Sequence, residues 1–105
     1  MGETITLTAA DGHKLSAWRA APAGRPKAGL VVLQEIFGLN AHIRAVTESF
    51  AAEGFLAIAP SLFDRVERGV ELGYDAEAVT RGRALRSRIP DAEVEAILST
   101  ADVCV

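Results

Sequence analysis

A carboxylate stands where the first long apolar run of the chain ends, in the segment Gln34-Glu35-Ile36-Phe37-Gly38-Leu39-Asn40. The run before it, residues 28–33, predicts a strand of a parallel sheet, covered on both faces, and ligands of open α/β sheets bind at the carboxyl ends of such strands. Partial burial of Glu35 would favour its protonated form and suit it to proton transfer. The alternative is a carboxylate that pairs with an arginine or caps a nearby amide, and position alone does not decide between them.

Four arginines lie on one predicted helix: Arg81, Arg83, Arg86 and Arg88. Exposed arginine is common on helices, so a solvated face is one interpretation. An anion clamp is the other, because a planar guanidinium binds a carboxylate through two hydrogen bonds. In that case Arg81 is the best candidate, since it lies at the edge of the helix face predicted to be buried.

The other reactive residue types show no catalytic or metal-binding pattern. His13 and His42 have neither the spacing of metal ligands nor an assignable carboxylate partner. Cys104 lies in an apolar stripe, where a small buried thiol is the ordinary expectation. The chain contains no glycine loop that would cradle a phosphate and no Gly-x-Ser-x-Gly or Gly-x-Cys-x-Gly turn. We therefore expect no metal, no cofactor and no nucleophile among these residues.

The elements that would position these residues begin with a predicted hairpin. Residues 4–8 and 14–18 each alternate polar and apolar β-formers. Between them lies Asp11-Gly12, which is a favoured turn.

A strand, a helix and a second strand follow the hairpin. Asn40 can cap the helix, and Gly54 is well placed to end it. The apolar strand at 55–59 follows at once, so with the strand at 28–33 the segment predicts one right-handed crossover. The apolar positions of the helix share one face: Ile43, Val46 and Phe50.

Two further helices are predicted, at about 74–89 and from Asp91 to the end of the chain. The first would bury one face, made of Ala78, Gly82, Leu85 and Ile89. The second ends with its apolar stripe still running and without the glycine, asparagine or cations that usually close a helix. We therefore expect the sequence to be cut within an element.

Length and composition describe an ordinary soluble globular chain of one domain. Of the 105 residues, 50% are apolar and 24% are charged, the net charge is −3, and no apolar run approaches the roughly 18 residues of a membrane-spanning helix. The weakly acidic balance argues against general nucleic-acid binding. A single cysteine, and an N-terminus without the basic and apolar regions of a signal peptide, predict a cytoplasmic protein.

The string from Gln34 to Asn40, followed by Ile43-Arg44, resembles the dienelactone hydrolase (carboxymethylenebutenolidase) family of α/β-hydrolases. The resemblance extends to Asp11-Gly12-His13, to the strand at 29–33 and to residues 54–63, and so covers nearly the whole chain. It implies a truncated α/β-hydrolase fold, in which an N-terminal hairpin is followed by a parallel strand–helix–strand and two further helices. Residues 1–105 would then be the N-terminal part of a single domain that lacks the nucleophile turn and the C-terminal half.

The resemblance also implies the reaction, which is hydrolysis of an ester or lactone by a cysteine or serine nucleophile with histidine and aspartate. The family's type substrate is an enol-lactone that bears a carboxylate. By resemblance, Glu35 contacts the nucleophile and sets its protonation, the backbone amide of Ile36 contributes to the oxyanion hole, and Phe37 lines the pocket. An arginine on the helix after the fourth strand binds the substrate carboxylate. Alignment without gaps falls beside Arg81, with Arg83 the other possibility. The family uses no metal, and its nucleophile, acid and histidine have no counterpart in this sequence.

Two hypotheses of function follow. The first is the N-terminal part of a dienelactone hydrolase-like enzyme, inactive alone, which a partner chain supplying the other half could make active. The second is a non-catalytic α/β binding module that forms homo-oligomers through its final helix and an unpaired sheet edge. A nucleotide-binding domain is disfavoured, because no glycine-rich loop follows the first parallel strand.

Overall fold

A computed structural model describes residues 2–104, with side chains as far as residue 97. These residues form an α/β fold around a four-stranded mixed sheet of order β1-β2-β4-β3, as the strand and helix pattern predicts. The strands are β1 (Gly2–Thr8), β2 (Lys14–Ala20), β3 (Ala28–Val31) and β4 (Phe55–Pro60). The helices are α1 (Ala41–Ala52), α2 (Ala76–Ser87) and α3 (Asp91–Cys104), with a 3-10 turn at Leu62–Arg65.

The predicted N-terminal hairpin is confirmed. β1 and β2 pair antiparallel, with Thr8 opposite Lys14. The connection spans residues 9–13 instead of the two residues of the tightest turns, and within it Gly12 has a φ of +89°. Glycine reaches this left-handed conformation without strain, which explains its place beside Asp11.

The predicted crossover is confirmed as well. β3 and β4 pair in parallel, with Leu30 opposite Ala57. α1 begins after Asn40, whose side-chain oxygen accepts a hydrogen bond of 3.1 Å from the N–H of Ile43. The chain leaves the helix through Gly54, which has a φ of +102°. The buried face of α1 consists of Ile43, Thr47 and Ala51, whereas Val46 and Phe50 are half-buried.

The prediction that β3 is covered on both faces is wrong. Ala28 and Gly29 are exposed, and the rest of the strand is half-buried. Within the described residues β3 is the last strand of the sheet, whereas β4 lies between β3 and β2 and is buried over residues 57–60. The apolar run therefore predicts a strand correctly. Whether that strand lies in the centre or at the edge of the sheet depends on which segments pair with it.

The two faces of the sheet are covered by different helices. On one face Trp18 of β2 donates a hydrogen bond of 3.0 Å to Glu48 of α1. On the other, Ile97 of α3 is fully buried in a cluster that includes Leu15 and Ile58. Side chains alternate between the faces along a strand, so neighbouring residues of β2 and β4 contribute to both layers. Among the described residues, no helix has the length and apolarity needed to cross a bilayer.

Helix α2 begins after Asp75, which caps it by accepting a hydrogen bond of 2.8 Å from the N–H of Ala78. The predicted buried face is confirmed, because Ala78, Gly82, Leu85 and Ile89 are all buried. Leu85 and Ile89 form a second apolar cluster with Phe63 and Val70. The helix thus packs over the loop that follows β4.

An ion-pair network ties the hairpin to the C-terminal helix. The Arg65 guanidinium, whose side chain is only 7% exposed, contacts Asp11 at 2.7 Å and Glu93 at 3.1 Å. The hydrogen bond from Arg65, followed by that from the backbone N–H of His13, lowers the pKa of Asp11 to about 2. The same contact with Asp11 raises the pKa of Arg65.

Candidate functional site

The Glu35–Gly38 turn (residues 35–38) follows the carboxyl end of β3, and Gln34 anchors its start. The side-chain oxygen of Gln34 accepts a hydrogen bond of 2.8 Å from the N–H of Leu62, just after β4. Its amide nitrogen donates one of 3.1 Å to the carbonyl of Glu35. One side chain therefore joins the ends of both parallel strands at the edge where α/β sheets bind ligands.

The turn closes on a glycine. The N–H of Gly38 donates to the carbonyl of Glu35 at 3.2 Å, and Gly38 has a φ of +85°. A Cβ at this position would also overlap the carbonyl oxygen of Val70. Glycine is thus required at position 38 for two reasons, a left-handed backbone and the close approach of a second segment.

Residues 70–74 hold the far side of the turn. The N–H of Leu72 donates to the carbonyl of Phe37 at 2.8 Å, and the rings of Phe37 and Tyr74 lie 4.4 Å apart at 60°. The side-chain amide of Asn40 donates to Leu72 and Tyr74, at 3.4 and 3.2 Å. Asn40 therefore caps α1 and fixes this segment at the same time.

Arg44, in the first half of α1, completes this support. Its guanidinium donates to the carbonyl of Leu39 at 3.1 Å and to Glu71 at 2.8 Å. The cation also lies 5.7 Å from the centre of the Trp18 ring. The Ile43-Arg44 pair of the sequence motif thus has a structural role around the turn.

A cleft of about 230 Å³ opens beside the turn. Its walls are mainly apolar, with three polar side chains among them. The lining residues are Gln34, Glu35, Ile36, Leu62, Phe63, Arg86, Ile89 and Val94.

Glu35 and Ile36 both line this cleft. The predicted chemistry uses the carboxylate of Glu35 and the backbone N–H of Ile36. Glu35 is exposed, so the expectation of partial burial is wrong for the described residues. Within that part of the chain its carboxylate has no hydrogen-bond or ion-pair partner, and the backbone N–H of Ile36 has none either. The exposure of Glu35 arises because no described segment covers the turn on that side.

Phe37 and Arg81 are not among the residues that line the cleft. Phe37 is half-buried against Tyr74. Arg81 is exposed and forms an ion pair with Glu67, on the loop before α2. Arg83 is exposed too.

Among the described residues Arg86 is the cation that lines the cleft, although the sequence pattern does not distinguish it from the other three arginines of the helix. It donates to the carbonyl of Ile89 at 2.7 Å and to Asp91 at 2.9 Å, bridging the end of α2 and the start of α3. The spacing between Arg86 and Gly82 indicates this position in the sequence. Residues four apart on a helix share a face, and Gly82 lies on the buried face of α2. The sequence motif includes Gln34 but does not indicate a role for it, although its two hydrogen bonds hold the turn.

A second and larger cleft, of about 350 Å³, includes Trp18, Arg44 and the buried Asp64 among its lining residues. The Asp64 carboxylate accepts hydrogen bonds from the N–H of Ser16 at 2.8 Å and the hydroxyl of Ser61 at 3.0 Å. A carboxylate that is satisfied internally holds loops together and is not free for chemistry. In the residues that the structure describes, no three His, Cys, Asp or Glu side chains converge as metal ligands would, and the Cys104 side chain lies outside them.

Comparison with known proteins gives a consistent picture. The model of the dienelactone hydrolase family matches residues 15–103. A Synechocystis protein provisionally named carboxymethylenebutenolidase is 48% identical over 65 residues, 62% of this chain and 26% of its own length. The carboxymethylenebutenolidase of Pseudomonas putida is 36% identical over 70 residues, 67% of this chain and 30% of its own length.

Solved structures agree with the sequence matches. The crystal structure of a Klebsiella pneumoniae protein, provisionally named a dienelactone hydrolase, superposes with a TM-score of 0.72 at 33% identity. The match covers 95% of this chain and 42% of the Klebsiella chain. The chain spans about a quarter to a third of the length of the curated relatives it matches.

Proposed function

This chain belongs to the dienelactone hydrolase family, and we propose that it is the N-terminal part of an enzyme that hydrolyses an ester or lactone. The nucleophile, a cysteine or serine, would come from residues outside this chain, together with its histidine and aspartate. The substrate would be a small ester or lactone, with a carboxylate as in the type reaction. Alone, the chain would not turn over, because removing the nucleophile and its base removes covalent and general-base catalysis together.

One observation carries the proposal. Glu35 and Ile36 line the same cleft, and neither the Glu35 carboxylate nor the Ile36 N–H has a partner within the described residues. A group that is free at the ligand-binding edge of the sheet is available to a substrate or to a second part of the active site.

The proposed roles follow from the chemistry of ester hydrolysis. Attack of the nucleophile on the carbonyl carbon places negative charge on the carbonyl oxygen. The Ile36 N–H would donate a hydrogen bond to that oxygen, and such a donor is worth most when it is fixed in advance. Glu35 would contact the nucleophile and set its protonation. Phe37, which packs on Tyr74, would line the pocket that forms when the rest of the enzyme is present. Arg81, once released from Glu67, would bind the substrate carboxylate.

A chimaera tests the proposal. Residues 1–105 replace the N-terminal part of the Pseudomonas putida carboxymethylenebutenolidase as far as the position that corresponds to residue 105. Hydrolysis of a dienelactone and of p-nitrophenyl acetate is measured beside the intact mass of each sample. We expect no turnover by the chain alone and turnover by the chimaera. Glu35→Gln should lower kcat/KM of the chimaera at least roughly tenfold, as loss of a proton-controlling group does. The matched control Glu53→Gln, on the exposed end of α1, should leave it unchanged. A folded chimaera without activity, beside an active parent, would contradict the proposal.

A second candidate function is a self-associating α/β module. The observation that favours it is the free edge of β3 in the described part of the chain, with Leu33 beyond it 53% exposed. Unpaired strand edges template pairing with another chain, and a lysine there blocks it. If the chain alone forms a discrete dimer by sedimentation, Leu33→Lys should return it to a monomer, whereas Ala23→Lys in an exposed loop should not. A monomer at all concentrations rejects this candidate.

The proposed location is the cytoplasm. The single cysteine is the feature that supports it, because secreted domains of this size usually depend on disulfides. Fractionation of the source cells would test it, and recovery of the protein outside the cytoplasm would contradict it.

A further inference from the structure

We infer that Gly82 of α2 is a positioning residue for the Ile36 amide, an inference that rests on the proposed role of that amide in the oxyanion hole. A Cβ added at Gly82 would overlap the carbonyl oxygen of Ile36 and lie 2.9 Å from its carbonyl carbon and 3.1 Å from its Cβ. The Ile36 backbone therefore rests directly on the helix at the one place where the helix has no side chain.

Nothing in the helix itself calls for glycine at this position. Gly82 is not among the glycines with positive φ, so its backbone conformation is open to alanine. Within a helix, glycine is less favourable than alanine because it orders a more flexible backbone. Gly82 is buried in the interior of α2. What glycine supplies there is space for Ile36.

The other side of the Ile36 amide is held by its neighbour. The peptide group that carries the Ile36 N–H also carries the carbonyl of Glu35, which accepts hydrogen bonds from Gln34 at 3.1 Å and from Gly38 at 3.2 Å. All described peptide bonds are trans, so this N–H points away from that carbonyl. Ile36 is thus fixed through Glu35 on one side and through Gly82 on the other. This orients its N–H, which has no partner within the described residues.

Two measurements on the unmodified and substituted chain test the positioning itself. In the unmodified chain, the α-protons of Gly82 should show a nuclear Overhauser effect to the side chain of Ile36. In Gly82→Ala, the amide resonances of Ile36 and Phe37 should shift. In the control Ala84→Ser, which adds one side-chain atom on the exposed side of α2, they should not. Absence of the Overhauser effect overturns the inference even if Gly82→Ala does not fold.

The catalytic consequence is measured in the chimaera. Gly82→Ala should lower kcat on the order of 100-fold with KM changed less than about threefold, because a misplaced oxyanion donor weakens binding of the transition state alone. The control Ala84→Ser should change neither. An unchanged kcat in folded Gly82→Ala overturns the inference. If no chimaera hydrolyses any ester, the proposed function fails, while the resonance measurements still decide whether Gly82 positions Ile36.

Discussion

Both carboxylate oxygens of Asp11 contact the Arg65 guanidinium, each at an N–O distance of 2.7 Å, across 54 residues of sequence. A paired contact of this kind is directional as well as ionic, because the planar guanidinium matches the carboxylate. It ties the hairpin connection to the loop after β4, and Glu93 on the same guanidinium extends the tie to α3. Three segments that are distant in sequence are therefore joined at one cation.

The first prediction concerns acid. Because the folded-state pKa of Asp11 is lowered to about 2 from an ordinary value of 3.8, the carboxylate stabilises the fold above pH 3.8 and loses that contribution as the pH falls towards 2. Urea unfolding between pH 2 and 6 should show Asp11→Asn less stable than the unmodified chain at pH 6, with the difference disappearing near pH 2. The control Glu3→Gln, at an exposed pair with Arg19, should show a smaller difference. A difference for Asp11→Asn that is independent of pH would contradict the assignment.

The second prediction separates charge from geometry at Arg65. Arg65→Lys keeps the charge but loses the paired contact with Asp11, so it should lower the free energy of unfolding by about 1–2 kcal/mol. The matched control is Arg19→Lys, whose single contact to Glu3 measures 3.3 Å and is largely solvated. That change should cost less than about 0.5 kcal/mol. Equal losses in denaturant titrations of the two variants would show that the network around Arg65 is no stronger than a surface pair.

The third prediction divides the two roles of Asn40. Asn40→Asp keeps the oxygen that caps α1 but loses the amide that donates to Leu72 and Tyr74. The free energy of unfolding should fall by about 1–2 kcal/mol, because the half-buried carbonyl of Leu72 loses its donor. Asp75→Asn at the exposed cap of α2 exchanges the same two side chains, and should change stability by less than about 0.5 kcal/mol. If thermal unfolding finds the two variants alike, Asn40 acts as a cap only.

The fourth prediction addresses the cation for a substrate carboxylate. In the chimaera, Arg81→Gln should raise KM for a carboxylate-bearing lactone tenfold or more, since a hydrogen bond to a charged group is worth about 1.5–3 kcal/mol. KM for an uncharged ester should not change. Arg83→Gln and Arg86→Gln are compared directly, because Arg83 is the alternative from the alignment and Arg86 lines the cleft. If only one of these two raises KM, the role belongs to that arginine and not to Arg81.

Local signals in the sequence were sufficient to predict most of the helices and strands. The cap at Asn40, the exit through Gly54 and the buried face of α2 depend on residues a few positions apart, where one turn of helix decides the outcome. The exposure of β3, which is the last strand of the sheet among the described residues, differs from the prediction because burial depends on which distant segments become neighbours. An apolar run carries no information about that.

The same distinction between local and long-range determinants applies to the candidate site. The motif around Glu35 and Ile36 placed a carboxylate and an amide at the carboxyl end of β3, as the structure has them. The exposure of Glu35, the contact between Gly82 and Ile36, and the presence of Arg86 in the cleft emerged only from tertiary structure. The sequence by itself therefore determined which elements form and which chemical groups end the strands, because those depend on neighbours along the chain. Only the folded structure decided which groups are covered, held or left free, because packing brings together residues that are some 50 positions apart.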